Sequence, residues 1–141
     1  MNDSIKNTLE AYPNNSDFAD FFEAYIVTAL WSSVSDDEGG ITDEHDADDI
    51  DPETLSYLAA VAYKFHREKS RFIDAEPEPP TCRDGSGPHA MAGHDFWLTS
   101  AGHGAGFWDG DWPRYGDMLT KASEQSGSIE LYVGDNGKIY V

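Results

Sequence analysis

The chain has 141 residues, 39% of them hydrophobic and 13% aromatic, with 27 acids against 9 Lys and Arg for a formal charge of −18. That length suits a single domain with its own core, and that charge repels nucleic acid and anionic membranes, which disfavours direct binding to either. Cys82 is the only cysteine, which excludes an internal disulfide and a cysteine-based zinc framework.

Residues 3–12 read as a short helix that stops at Tyr12-Pro13-Asn14-Asn15. Ser16 is the expected N-cap of the next helix, over 16–33, with Asp17 and Asp20 placed to suit the positive end of its dipole. Phe18, Phe22, Tyr25, Ala29 and Ser32 form one stripe of it, flanked by Phe21, Ile26 and Leu30. From Ser35 to Asp51 the periodicity collapses into a loop with nine acids and no Lys or Arg. Asp51 then caps a third helix over 52–71, with Pro52 at its first position and Leu55, Leu58, Ala59, Ala62, Phe65 and His66 on its apolar side.

Pro77, Pro79, Pro80, Gly85, Gly87 and Pro88 make residues 74–90 a connection between an α-rich half, 1–73, and a second half, 91–141. That second half reads as hairpin, helix, hairpin. Phe96 and Leu98 alternate with Trp97 in a strand over 95–99, and Ser100–Gly106 turns into a return strand at 106–109. Asp111 is the expected cap of a helix over 112–125, with Tyr115, Met118, Leu119 and Ala122 apolar. Strands at 129–133 and 138–141 flank Gly134-Asp135-Asn136-Gly137. The expected fold class is therefore α+β: one domain over 1–141, with N-terminal helices packed on a small antiparallel sheet of two β-hairpins and an intervening helix.

Gly93–Trp112 holds three of the four tryptophans and five of the thirteen glycines, so it reads as tight packing, a site, or both. His89, His94, Asp95, His103, Asp109 and Asp111 are candidate metal ligands by residue type. No His-Glu-x-x-His or Cys-x-x-Cys framework accompanies them, and backbone hydrogen bonding is the plainer role, so the run reads as chiefly structural. If their rings are buried, Trp97→Ala or Trp108→Ala should cost about 3–5 kcal/mol. Gly102, Gly104 and Gly106 match neither a dinucleotide fingerprint nor a P-loop. The acidic loop fails the EF-hand pattern. No nucleophile with an evident base stands out, so no catalytic residue, metal ligand or cofactor is assigned.

The run His94-Asp95-Phe96-Trp97-Leu98-Thr99, then Gly102-His103-Gly104-Ala105-Gly106-Phe107-Trp108-Asp109, then Leu131-Tyr132-Val133-Gly134-Asp135 with Gly137-Lys138-Ile139-Tyr140, resembles a family of small acidic proteins of tailed bacteriophages and prophages. Ala24-Tyr25, Ala29–Ser33 and Asp49-Ile50 with Pro52-Glu53 extend the resemblance over most of the chain. It implies a phage or prophage origin and assigns no activity. Where such relatives commonly have Arg or Asn before the Gly-His-Gly run, this chain has Ser100-Ala101, a less polar tip.

Charge supplies the functional expectation. Residues 1–53 hold fifteen acids against one base, Lys6, so the field is concentrated in the first third of the chain. The start lacks the apolar run of a signal peptide, and a host-cytoplasmic location is expected. The first reading is a non-enzymatic inhibitor that mimics DNA towards a host protein with a basic nucleic-acid-binding surface, such as a defence or repair protein. Its partner-binding residues would be Asp36, Asp37, Glu38, Asp43, Glu44, Asp46, Asp48, Asp49 and Asp51. The alternative is a small metal-dependent hydrolase using His94, Asp95, His103 and Asp109.

Overall fold

The computed structural model describes residues 1–33, 45–81, 85–102 and 105–141. Among these residues five helices build most of the fold: α1 (Asp3–Leu9), α2 (Ser16–Ser32), α3 (Pro52–Ala75), α4 (Pro88–Ala101) and α5 (Gly116–Gln125). A 3-10 turn, Ala47–Asp49, precedes α3, and two short strands, β1 (Tyr132–Val133) and β2 (Ile139–Tyr140), close the chain. The protein is thus α-helix-rich with one small antiparallel sheet. Among the described residues no helix is long and apolar enough to cross a membrane.

α2 follows its sequence pattern. Phe18, Phe21, Phe22, Tyr25, Ile26, Ala29 and Leu30 are buried. The cap lies one residue earlier than expected. Asn15 Oδ1 accepts from the Asp17 and Phe18 N–H groups at 3.0 and 3.2 Å, which satisfies two of the unpaired donors of the first turn. α3 starts as its residues dictate, with Asp51 accepting from the Thr54 N–H at 3.1 Å and Pro52 next to it. All six residues of its apolar side are buried. It runs four residues beyond Arg71, because Ile73 is also buried. Pro77 then forces Glu76 to an extended conformation (φ −62°, ψ 122°) and ends it.

The expected strand at 95–99 does not form. These residues lie inside α4, and 106–109 is a series of turns, so the first hairpin is replaced by a helix and a turn. The expected 74–90 connection shortens accordingly, because α3 extends to Ala75 and α4 begins at Pro88. Pro88 follows Gly87 as a first-position proline. At the other end Gly102, at φ 79°, takes the left-handed conformation, and its N–H meets the carbonyls of Leu98 and Thr99. α4 is buried on almost every side; His89, Ala90, Ala92, Gly93 and Asp95–Thr99 are all shielded. A helix without an exposed face has no polar stripe to reveal its period. Apolar runs at its centre therefore read as a strand.

α4 crosses against α2 at Gly93. A Cβ placed there would fall 2.0 Å from the Phe21 carbonyl oxygen. The close approach lets Phe96 stack on Phe65 at 4.1 Å between centroids and on Tyr25 at 5.3 Å. Trp97 meets Tyr25 edge-on at 5.5 Å, and its Nε1–H donates to Ser32 Oγ at 2.8 Å. Trp97 is 2% exposed and Trp108 52%, so the core role expected of both rings belongs to Trp97 alone.

α5 begins at Gly116 rather than at 112, and Asp111 is not its cap. No side chain of its own first turn caps it. The buried Glu76, at the end of α3, instead fixes the turn that leads into it, with Oε1 accepting from the Arg114 and Tyr115 N–H groups at 2.9 and 3.3 Å. The second hairpin forms as expected but is shorter, pairing Tyr132 with Tyr140 and Val133 with Ile139. Ile139 also bridges to Ile50, and the Asp51 N–H donates to its carbonyl at 2.9 Å. One core, from Ile5 in α1 to Ile139 in β2, draws on all five helices.

Candidate metal centre

Among the described residues, one set of three metal-ligating side chains converges: Asp17, Asp74 and His89, each offering a ligand atom within 4.8 Å of the others. Three helices supply them. Asp17 stands in the first turn of α2, Asp74 in the last turn of α3 and His89 in the first turn of α4. By sequence, His89 is among the candidate ligands, but Asp17 reads as a dipole partner and Asp74 as the start of the 74–90 connection. No short spacing links 17, 74 and 89. The only local signal was a histidine beside a first-position proline.

His89 lies at the floor of this site, with 7% of its side chain exposed, against 55% for Asp17 and 64% for Asp74. Its Nε2 is 2.7 Å from Asp74 Oδ1 and 3.6 Å from Asp17 Oδ2. Its Nδ1 faces His66 Nε2 at 2.9 Å. His66 is buried on α3 against the rings of Phe21 and Phe18, at 5.0 and 5.6 Å. Burial, and then the neighbouring His89 imidazole, push His66 down to about 4, so it is neutral near pH 7. Two facing ring nitrogens share one proton in a hydrogen bond. In the neutral tautomer of His89 whose Nε2–H donates to Asp74, His89 Nδ1 accepts from His66 Nε2–H. The opposite pair of tautomers frees His89 Nε2 as a lone-pair ligand, with its Nδ1–H donating to His66.

Among the described residues, the members of the alternative set from the glycine-aromatic run, His94, Asp95 and Asp109, do not form such a cluster. His94 Nδ1 meets Asp95 Oδ1 at 3.1 Å. Asp95 is 1% exposed, and its Oδ2 accepts from Trp112 Nε1–H at 2.7 Å. Both oxygens of Asp95 therefore have partners. Asp109 is exposed and accepts from the backbone N–H groups of Gly106 and Asp111 at 3.3 and 3.4 Å. Desolvation, then Asp109 and Asp95, push the Asp111 carboxyl up. His103 lies outside the described residues, as does Cys82.

Of the acids expected to bind a partner, Asp36, Asp37, Glu38, Asp43 and Glu44 lie outside the described residues. The other four make bonds within the fold. Asp46 and Asp49 form a reciprocal capping box around the 3-10 turn. Asp49 also approaches His45 Nδ1 at 3.3 Å. Asp48 accepts from Ser4 Oγ at 2.6 Å, and that bond holds its carboxyl below the usual range. Asp51 caps α3. Asp46 and Asp48 remain exposed to solvent.

Comparison of the chain with protein-family models, with curated proteins and with solved structures finds no match.

Proposed function

We propose that the protein binds a divalent transition-metal ion, Zn²⁺ or Mn²⁺, through Asp17, Asp74 and His89, and that its chemistry is metal-assisted hydrolysis. The convergence of those three ligand atoms carries the reading. One imidazole and two carboxylates, with no thiolate, form a nitrogen and oxygen set that suits these ions. A cation would also offset the repulsion between two carboxylates that share one imidazole. His66 is the orienting partner, because it can accept from the Nδ1–H of a ligating His89. Three protein ligands would leave such an ion able to bind and acidify a water molecule, the chemistry that a hydrolytic metal supplies. The exposure of both carboxylates supports access to that site from solvent.

The test is calorimetric titration of chelator-treated protein with Zn²⁺ and Mn²⁺, followed by assay of the loaded protein on activated phosphate and carboxylate esters. One ion per chain is expected. His89→Ala should abolish binding, and His66→Phe should weaken it by about 10–100-fold through loss of the orienting partner. Binding that survives His89→Ala but is lost in His94→Ala would transfer the site to the His94–Asp95 run. Binding of neither ion would end the proposal, and binding without turnover would end its hydrolytic part.

Charge favours a second reading, a DNA-mimic inhibitor of a host protein with a basic nucleic-acid-binding surface. Its support is the net charge of −18 and its concentration in residues 1–53. Exposed Asp46 and Asp48 are on the described part of that surface. The signature to look for is affinity for basic DNA-binding proteins that falls steeply with salt.

A further inference from the structure

α2 is apolar on more than its buried side. Its inner face packs on α3 and α4, yet Val27 and Trp31 on the outside are each 50% exposed. They lie four residues apart and form a ridge along the helix. A hollow opens on each side of that ridge. The first, of about 450 Å³, has Ile5, Leu30 and Ala47 in its lining, with Glu23 and Asp46 among the polar groups. The second, of about 200 Å³, lies towards α4 and is lined by Ala24, Trp31 and Ala90, with Asp20 and Glu23. Val27 and Glu23 belong to both. The result is a contiguous apolar surface with carboxylates around it and a tryptophan on it.

We propose that this face of α2 is the docking site for a basic amphipathic helix of a partner protein. Apolar side chains of such a helix would fill the two hollows beside Val27 and Trp31, and its Lys and Arg would meet Asp20, Glu23 and Asp46. Charge complementarity selects this occupant. A second copy of the chain would bring another −18 to the contact, and an anionic bilayer is repelled by the same field. A basic segment with no apolar face would leave the ridge wet, whereas surfaces of this kind mark interaction sites. The proposal is independent of the metal centre. It narrows the second reading from a charged surface to a helix-binding groove, and the two are separable by experiment.

The probes are two helical peptides of about eighteen residues with the same number of lysines, one carrying leucine on its apolar face and the other serine. The leucine peptide is expected to bind at least about tenfold more tightly, a difference of ~1.4 kcal/mol. Val27→Ser and Trp31→Ser should erase that advantage while the helical circular dichroism is retained. Glu23→Gln with Asp46→Asn should weaken both peptides. Equal affinity for the two peptides would overturn the groove while leaving a purely charge-driven partner in place. An advantage that persists in both serine variants would place the apolar contact elsewhere. Failure of the leucine peptide to bind would overturn the proposal outright.

Discussion

Gly93→Ala is expected to remove the cooperative fold. The new Cβ would sit 2.0 Å from the Phe21 carbonyl oxygen, 2.9 Å from its carbon and 3.1 Å from its Cα. All three are backbone atoms of a helix interior, so no side chain can rotate away. Relief requires α2 and α4 to separate, and that would pull Phe96 off Phe65 and Tyr25. Overpacking alone costs about 1–3 kcal/mol where side chains can shift. Here the backbone must move, and the loss should exceed ~4 kcal/mol, a large share of the stability of a domain. Gly87→Ala is the control. Its added Cβ meets nothing within 4 Å and its φ of −78° is open to any residue. Urea unfolding followed by far-ultraviolet dichroism checks both, and a Gly93→Ala midpoint equal to wild type would refute the close crossing.

Trp112→Ala should be the most damaging of the aromatic truncations. The ring is 2% exposed and packs edge-on against Phe107 at 5.6 Å. Losing it costs about 3–5 kcal/mol for burial and cavity together. A second loss adds to this, because Trp112 Nε1–H donates to the buried Asp95 carboxylate at 2.7 Å. A carboxylate deprived of that donor costs a further ~1–3 kcal/mol. Trp112→Phe separates the two effects, since it keeps most of the ring and removes the N–H. The expected order of stability by urea titration is wild type, then Phe, then Ala. A Trp112→Ala variant within about 1 kcal/mol of wild type would contradict both contributions.

Legibility followed exposure. α3 has a wet face and a dry face, a proline at its start and an aspartate before it, and each of these leaves a mark in sequence. Its six apolar-side residues were all identified and all are buried. α4 has no comparable wet face, so Phe96, Trp97 and Leu98 read as the alternation of a strand. Gly93 opens a run that reads as tight packing, and it is a helix residue required by the passage of α2. The second hairpin was legible because its turn is local. The candidate centre was hidden for the opposite reason. Asp17, Asp74 and His89 come from the ends of three helices, and only their packing makes them neighbours. His66 appeared correctly on an apolar stripe, but its partner His89 lies 23 residues away across a proline-rich connection.

The single bridge between Ile139 and Ile50 ties the last strand to the entrance of α3, 89 positions earlier. Contacts of such sequence separation form late, because a long stretch of chain must be closed before they reward it. The five helices can therefore assemble before the hairpin docks, and the hairpin acts as a latch on a frame already built. The Asp51 amide is protected by the Ile139 carbonyl, while the Asp51 side chain holds the first turn of α3. Hydrogen exchange at that one amide consequently clocks the opening of the latch, separately from the slower loss of the helical core.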